Sequence, residues 1–501
     1  MPVNESSAAD EITEPQGPLQ QMLHRRAAGE TISFHMPGHK NGHLYRSGVM
    51  GEIPLLAGFL PALDTTEVPG TDNLHNPTGA IRQAQERAAA VFGAEETFFL
   101  VNGSTCGIYA MIGAAAAPGD EILINRNAHQ SVYHYCLLTG VVPRYLVPEV
   151  DERLGLPLGI TPQAVAQGLK DWPRVKAVVL TRPTFHGHAA DLAAIARLVH
   201  DDGKVLLVDE AHGAHLRLSS RLPADAMACG ADAAVQSTHK TLSAFTQASM
   251  LHVQGNRLDR DRLRFQLRLF QTSSPSYLLM ASLDAATSLV AGPGPAMMNT
   301  LIDGMMTLRH RLESLPGLLF SRQEEGTGTH RQPMDLTRIW IDLHQTGFTG
   351  YELDKKLAAT WHMQMEMADL RGVLALASIG NTPADLHQLC EALARLADQA
   401  VPAQASESLT SLRPPRELPQ VHCSPQSALR APREWIPLSQ AAGRVSTASL
   451  IPYPPGIPLV VPGEIIEASL CSYLGTLAAA GVDIVGMATP HAPHVEVMAH
   501  T

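Results

Sequence analysis

The chain has 501 residues, of which 45% are hydrophobic and 17% charged, and its formal net charge is −11. That length allows two or three domains around a large core, and an acidic balance with no basic stripe argues against a nucleic-acid-binding protein. Six scattered cysteines with no CxxC pair point to reduced thiols in a cytoplasmic protein, the polar, acidic first 14 residues lack the apolar stretch of a secretory signal, and no run spans a bilayer.

In chain order, residues 1–16 read as a loose arm, and Pro18–Gly29 as a short helix with Leu19, Met22 and Leu23 at helical spacing. From about 31 to 280, β-rich runs alternate with amphipathic helices. The strands are Thr97–Val101, Glu121–Ile124, Val142–Leu146, Ala177–Leu180, Val205–Val208 and Ala233–Gln236; the helices between them include Gly107–Ala116, Ser131–Thr139 and Leu192–Asp201. This alternation predicts an α/β domain with a mostly parallel sheet, whose ligands bind at the C-terminal ends of the strands. Residues 281–400 read as a smaller α/β domain. It is helical over Ala281–Leu312 apart from a break at Gly292-Pro293-Gly294-Pro295, with a strand at Thr337–Leu343 and a closing helix at Leu386–Ala397. Residues 401–432, rich in Pro, Ser and Arg, read as a linker. Residues 433–501 form a C-terminal piece in which Tyr453-Pro454-Pro455-Gly456-Ile457-Pro458 demands a rigid, non-helical path.

The chemistry gathers at strand ends. Asp209 closes the apolar run Val205-Leu206-Leu207-Val208, and Lys240 follows the next strand in Ser237-Thr238-His239-Lys240. An aspartate so placed suits a pyridinium nitrogen, and a lysine so placed suits a Schiff base with an aldehyde on the same ring: the two partners that pyridoxal phosphate requires. The flanks of Lys240 are poor in charge, which favours a desolvated, nucleophilic amine over a surface lysine. Asn102-Gly103-Ser104-Thr105-Cys106-Gly107 joins a strand to a helix, so Ser104 and Thr105 are candidate phosphate ligands or an ordinary helix cap. Ser237, Thr238 and His239 are further candidates, and His239 is also a candidate proton donor. His129 stands at a strand-to-helix loop, as a ring-stacking imidazole or a plain loop histidine. His212 and Ala211 are placed to line the ring pocket. Two polar loops stand out, 33–42 and 64–75. The second carries Glu67 and Asp72, acids suited either to a cationic side chain or simply to water. His35, His39 and His43 have metal-like spacing, but Pro37 and the glycines break any helix that would align them, so no metal site is expected.

Taken together, these stretches resemble the Orn/Lys/Arg decarboxylase family of fold-type-I pyridoxal-phosphate enzymes. The resemblance rests on SFHMPGHKNG (33–42), DTTEVPGTDNLHNPTGAI (64–81), NGSTCG (102–107), RNAHQS (126–131), VDEAHGAH (208–215), QSTHKTLSAFTQASMLH (236–252), QTSSPSYLLMASLD (271–284) and YPPGIPLVVPGE (453–464). It implies an aspartate-aminotransferase-like large domain, a small domain and a C-terminal decarboxylase domain. Lys240 would be the Schiff-base lysine, Asp209 the ring-nitrogen partner and His129 the stacking ring, with Ser104, Thr105, Ser237 and His239 on the phosphate. Glu366, in a motif similar to one near the substrate, joins Asp72 and Glu67 as a candidate for the distal cation. The segment Thr272–Ser276 resembles one that reaches a neighbouring subunit's site, so a homodimer is expected. With the core starting near residue 31, the chain is similar to short members that lack an N-terminal wing domain. His186 departs from the pattern, standing where an aromatic is common.

The expected reaction is loss of carbon dioxide from arginine, then lysine, then ornithine, giving the corresponding amine. Competing readings are an aminotransferase, which needs an arginine clamp for the α-carboxylate (Arg371 being the nearest guess), a lyase or amino-acid oxidase on the same scaffold, and a catalytically silent homologue.

Overall fold

A computed structural model of the chain describes residues 17–28, 36–46 apart from Gly38 and Gly42, 58, 60–315, 317–321, 324–325, 332–342, 348–399, 415, 417–453, 456–488 and 493–499. The expected arm 1–16, residues 401–414 of the expected linker, His35 and Pro454-Pro455 lie outside the described residues.

Seven strands, β1 (Glu96–Leu100), β2 (Glu121–Asn125), β3 (Val142–Leu146), β4 (Ala177–Thr181), β5 (Val205–Asp209), β6 (Ala233–Gln236) and β7 (Ser249–Val253), form one sheet in the order β1-β7-β6-β5-β4-β2-β3. The pairs β2–β3, β2–β4, β4–β5 and β5–β6 are parallel, while β7 runs antiparallel to both β6 and β1. Sequence reasoning missed β7. An antiparallel strand needs no crossover helix, so the alternation of strands and helices gives no sign of it.

The parallel strands read as unbroken apolar runs because both faces are covered. On β5, Leu207 packs into the cluster holding Ile108, Met111 and Val132, whereas Leu206 and Val208 face Ile195 and Val199 on the other side. The helix Gly103–Ala115 lies especially close to the sheet. A Cβ on Gly107 would come within 2.6 Å of Leu100 Cδ1 and 2.7 Å of Val235 Cγ2, so only glycine allows that approach. The helix also begins earlier than expected, at Gly103 rather than Gly107, so the Gly-Ser-Thr turn is its first turn.

Two long helices, Tyr277–Ala291 and Gly294–Leu312, lead to the second sheet. The break is shorter than expected, because Gly294 and Pro295 open the second helix, where proline's missing N–H costs nothing. The second sheet is antiparallel, in the order Met367–Ala368, Gly372–Leu376, Arg338–Asp342, Leu319–Phe320. In the C-terminal part, Arg433–Pro437 pairs with His494–Met498, and the helix Ala468–Ala479 buries Leu470, Leu474 and Leu477 in a cluster with Val495 and Val497.

The proline-rich segment grips the large sheet through one cation. Arg126, just past β2, donates to the carbonyls of Pro458 (2.7 Å) and Leu459 (2.9 Å) and to Glu464 (3.1 Å). Its guanidinium also lies 5.6 Å from the ring centre of Tyr133 and 5.3 Å from that of Tyr145. Both charged groups are buried, and burial holds the Glu464 carboxyl above its ordinary range despite the arginine. A rigid backbone that presents two carbonyls and a carboxylate to one arginine accounts for the density of prolines and glycine there. Removing one partner of a buried ion pair strands the other's charge. Glu464→Ala is therefore expected to lower stability by about 3–5 kcal/mol in chemical denaturation; a change within about 0.5 kcal/mol, as at an ordinary surface position, would show that the clamp contributes nothing.

Candidate active site

The strand ends converge as the alternation requires. Asp209 ends β5, in register with Thr181 at the end of β4 and Val235 on β6. Its Oδ1 accepts the Ala211 N–H (3.1 Å), and among the described residues its other oxygen makes no hydrogen bond. Burial raises the Asp209 pKa, opposed by the Ala211 N–H and the Lys240 charge. The Ala211 carbonyl in turn accepts the Ser237 N–H (3.3 Å), which ties the turn after β5 to the turn after β6.

Lys240 sits in the short helix Thr238–Thr241 and opens to solvent along the cleft. Protein crowds it on its other sides, and this desolvation lowers its pKa; Asp209 and Glu366 oppose the effect, and Arg338 adds to it. Its Nζ lies 2.9 Å from His212 Nε2. His212 Nδ1 lies 2.7 Å from Arg338 Nη2, and burial first, then Arg338 and Lys240, depress the His212 pKa strongly.

The turn between β1 and the helix Gly103–Ala115 is built as a cradle. Gly103 takes φ +74°, a left-handed conformation that favours glycine, and it turns the chain into the helix. The N-cap, Asn102, makes no cap bond to its own helix and instead accepts the Thr272 N–H (3.2 Å). The first turn of the helix thus lacks a side-chain cap and suits an anion. Ser237 Oγ meets Ser104 Oγ at 2.9 Å, joining the two hydroxyls across strand ends, with Thr105 next in the same turn. The hydroxyls of Thr238 and Thr181 are buried without a hydrogen-bond partner. Buried polar atoms left unpaired are costly, and here they sit where a ring with a phosphate, an aldehyde and a protonatable nitrogen would supply partners. The residues present therefore fit pyridoxal phosphate.

His129 caps the helix Gln130–Thr139, its Nδ1 accepting the Ser131 N–H (3.3 Å). Burial, with smaller contributions from Lys240 and His134, brings its pKa down to about 4, so the ring is neutral and flat-faced beside Lys240. His239 Nδ1 lies 2.9 Å from the Ala248 carbonyl and must donate to it, which leaves Nε2 without a proton in the neutral ring. Burial lowers the His239 pKa, the Ala248 bond opposes that and Lys240 reinforces it.

The three candidate acids fare differently. Glu366 is exposed next to the small-sheet strand Met367–Ala368 and acts electrostatically on both Lys240 and Arg338. Asp72 is not available to a substrate. It is buried and accepts the N–H groups of Asn73, Thr78, Gly79, Ile81 and Arg82, fixing the start of the helix Ala80–Phe92. Glu67 accepts a hydrogen bond from Thr66 (2.6 Å) and acts on Tyr277, whose hydroxyl bonds the Asp72 backbone. Among the described residues it has no contact with Lys240.

The arginine guess is corrected as well. Arg371 is buried, pairs with Asp342 and donates to the Arg153 carbonyl (2.7 Å). The arginine that reaches the cleft is Arg338, which sequence reasoning missed. It is fully buried, bonding Asp335 (3.2 Å), the Phe185 carbonyl (2.5 Å) and His212. Its signal was legible: a charged residue inside the apolar strand Arg338-Ile339-Trp340-Ile341-Asp342 must have partners. At the departing position, His186 is buried edge-on to Trp340 (5.3 Å between centroids), and it is Phe185 that meets His212, at 5.2 Å. His39 pairs with Asp64 (3.2 Å), and among the described residues no group of three His, Cys, Asp or Glu is arranged for a metal ion. No described helix is long and apolar enough to cross a membrane.

Comparison with known proteins agrees with this geometry. Residues 17–327 match the Orn/Lys/Arg decarboxylase major domain, and residues 410–490 match that family's C-terminal domain. An arginine decarboxylase of Bacillus subtilis is 34% identical over 95% of this chain and 96% of its own length. The lysine decarboxylase LdcA of Pseudomonas aeruginosa is 28% identical over 89% of this chain and 73% of its own. The crystal structure of the lysine decarboxylase LdcF of Francisella novicida superposes with a TM-score of 0.83 at 21% identity, covering 97% of this chain and 82% of its own. With a matching major domain over more than half its length and a matching C-terminal domain, the chain belongs to the Orn/Lys/Arg decarboxylase family.

Proposed function

We propose that this protein uses pyridoxal phosphate to remove carbon dioxide from a basic L-amino acid, with arginine preferred over lysine and ornithine. The observation that carries the reading is that two carboxylates of opposite character act on Lys240: Asp209, buried at the end of β5, and Glu366, exposed on the small domain. The first suits a ring nitrogen, the second the distal cation of a substrate entering from solvent. When bound, pyridoxal phosphate supplies the electron sink for the bond broken at Cα.

The chain's own residues do the rest. The uncapped helix turn with Ser104, Thr105 and Ser237 would hold the phosphate, and the neutral His129 ring would stand beside the cofactor ring. Asp209 keeps a proton at the ring nitrogen. His212 and Ala211 bound the pocket beside Lys240. His239 donates from Nδ1 to the Ala248 carbonyl, which orients its ring beside Lys240 and leaves Nε2 as an acceptor. Arginine is preferred because an exposed carboxylate whose oxygens make no hydrogen bond among the described residues can pair a guanidinium through two bonds, and because three relatives that match over nearly their full length are named arginine decarboxylases. An aminotransferase reading is disfavoured, since Arg338 and Arg371 are both buried and bonded within the protein.

A homodimer completes the proposal. Thr272, Ser273 and Ser274 are exposed beside Asn102 at the phosphate end, and Phe265 and Leu269, one helical turn apart, leave an apolar strip open on the helix Arg260–Phe270.

Carbon-dioxide release measured side by side from arginine, lysine and ornithine should be fastest with arginine; no release from any of the three would end the proposal. Asp209→Ala should retain the visible absorbance of bound cofactor while turnover falls about 10²–10³-fold, the scale of losing one preorganised electrostatic partner. Near-normal turnover would remove Asp209 from its role. Glu366→Gln should raise KM about tenfold to a hundredfold, as expected for losing a charged hydrogen-bond partner, and an unchanged KM would move the distal-cation site elsewhere.

A further inference from the structure

The contacts around His212 restrict where its proton sits. Arg338 Nη2 is 2.7 Å from Nδ1, and a guanidinium has donors only. Nδ1 must therefore accept, which excludes both the imidazolium and the Nδ1–H tautomer. The single proton of the neutral ring is on Nε2, 2.9 Å from Lys240 Nζ. An ammonium also has donors only, so it would place hydrogen against hydrogen across that contact. A neutral amine offers a lone pair, and the contact is satisfied.

Arg338 has no freedom to release the ring. Its Nε bonds Asp335, which also accepts from His215 (3.0 Å) and from the Thr337 hydroxyl (2.7 Å) and N–H (3.0 Å). Its Nη1 bonds the Phe185 carbonyl, and the Asp335 N–H donates to the Gly187 carbonyl at 2.8 Å. A small-domain strand is thus anchored in two turns of the large domain, with its guanidinium aimed at one ring nitrogen.

We propose that Arg338 is a positioning residue that locks His212 in the Nε2–H tautomer and, through that ring, keeps Lys240 as a free amine. The inference rests on the reading of Lys240 as the imine-forming lysine and explains how it reacts near neutral pH. The lone pair of Nζ forms the bond to an aldehyde carbon, and both amine hydrogens leave with the carbonyl oxygen as water. No prior loss of an ammonium proton is required. The charged or titratable groups facing Nζ are Asp209 from β5, His129 from the turn after β2, His212, His239 beside it, and Arg338 and Glu366 from the small domain. The two carboxylates favour the ammonium, so the tautomer lock and burial work against them.

The test uses full-length apoprotein and needs no turnover. With 15N-labelled histidine, the His212 signals, assigned by their loss in His212→Gln, should report the Nε2–H tautomer throughout the neutral range. Competitive acetylation of Lys240 by acetic anhydride, followed by peptide mass spectrometry, should titrate below the ~10.4 of free lysine. Arg338→Met should give mixed tautomers and a higher midpoint, and uptake of pyridoxal phosphate at neutral pH should slow about tenfold per unit of that rise. Arg338→Gln, which retains an N–H donor without the charge, should restore part of the wild-type behaviour; equal shifts in the Gln and Met variants would leave charge alone as the cause and overturn the lock. Should the variants not fold, the wild type still decides. A proton on Nδ1, an imidazolium, or a Lys240 midpoint at the free-lysine value defeats the proposal. Apoprotein that behaves as described yet releases no carbon dioxide from any basic amino acid would count against the proposed reaction only.

Discussion

Asp335 is the carboxylate on which the cleft depends. It is fully buried, and although burial pushes its pKa up, the His215 ring and the Arg338 guanidinium hold it well below the usual carboxylate range. It gathers one partner from the large domain, His215, and one from the small-sheet strand, Arg338. A charge buried this completely is tolerated only when its lone pairs are filled, and filling them requires the two domains to sit in one relation. The same relation brings Glu366 toward Lys240 and Arg338 Nη2 to His212. Domain seating and the electrostatics of the lysine are therefore one arrangement.

The site divides its labour by depth. At the strand ends, Asp209, Ser237 and Thr238 are buried beside a sheet covered on both faces, with Ser104 in the helix turn next to them. Glu366 stands in solvent on the second sheet. On the proposed function, chemistry common to many amino acids would sit in the buried layer, and discrimination among side chains at the rim. The second buried ion pair, Arg126 with Glu464, extends the same logic to the C-terminal part. It fixes the turn after β2, three residues before His129, so the placement of that ring depends on a segment more than three hundred residues away in sequence.

Much of this was legible in the sequence because the relevant signals are local. Strands covered on both faces appear as apolar runs, and six of the seven in the large sheet were placed; the helix boundaries shifted by a few residues, where caps rather than hydrophobic periodicity decide them. β7 escaped because an antiparallel return leaves no crossover helix. Asp72 looked like a free loop acid, since five backbone N–H groups converging on it follow from chain geometry and not from residue type. Arg371 and Arg338 are both arginines at the small sheet, and only packing decides that one pairs with Asp342 while the other reaches the cleft.

By itself the sequence determined the α/β layering, the placing of Asp209, Lys240, Ser104 and Ser237 at strand ends, and the kind of cofactor that such an aspartate and lysine suit. Each follows from short-range patterns: the apolar period of a strand, a glycine that turns the chain, a charged residue where a strand stops. The tertiary structure alone decided which acid acts on the lysine from the small domain, which arginine is buried against His212, and which groups flank each nitrogen of that ring. Those outcomes depend on contacts between residues more than a hundred positions apart, and a proton's position is set by the donors and acceptors that surround it in space.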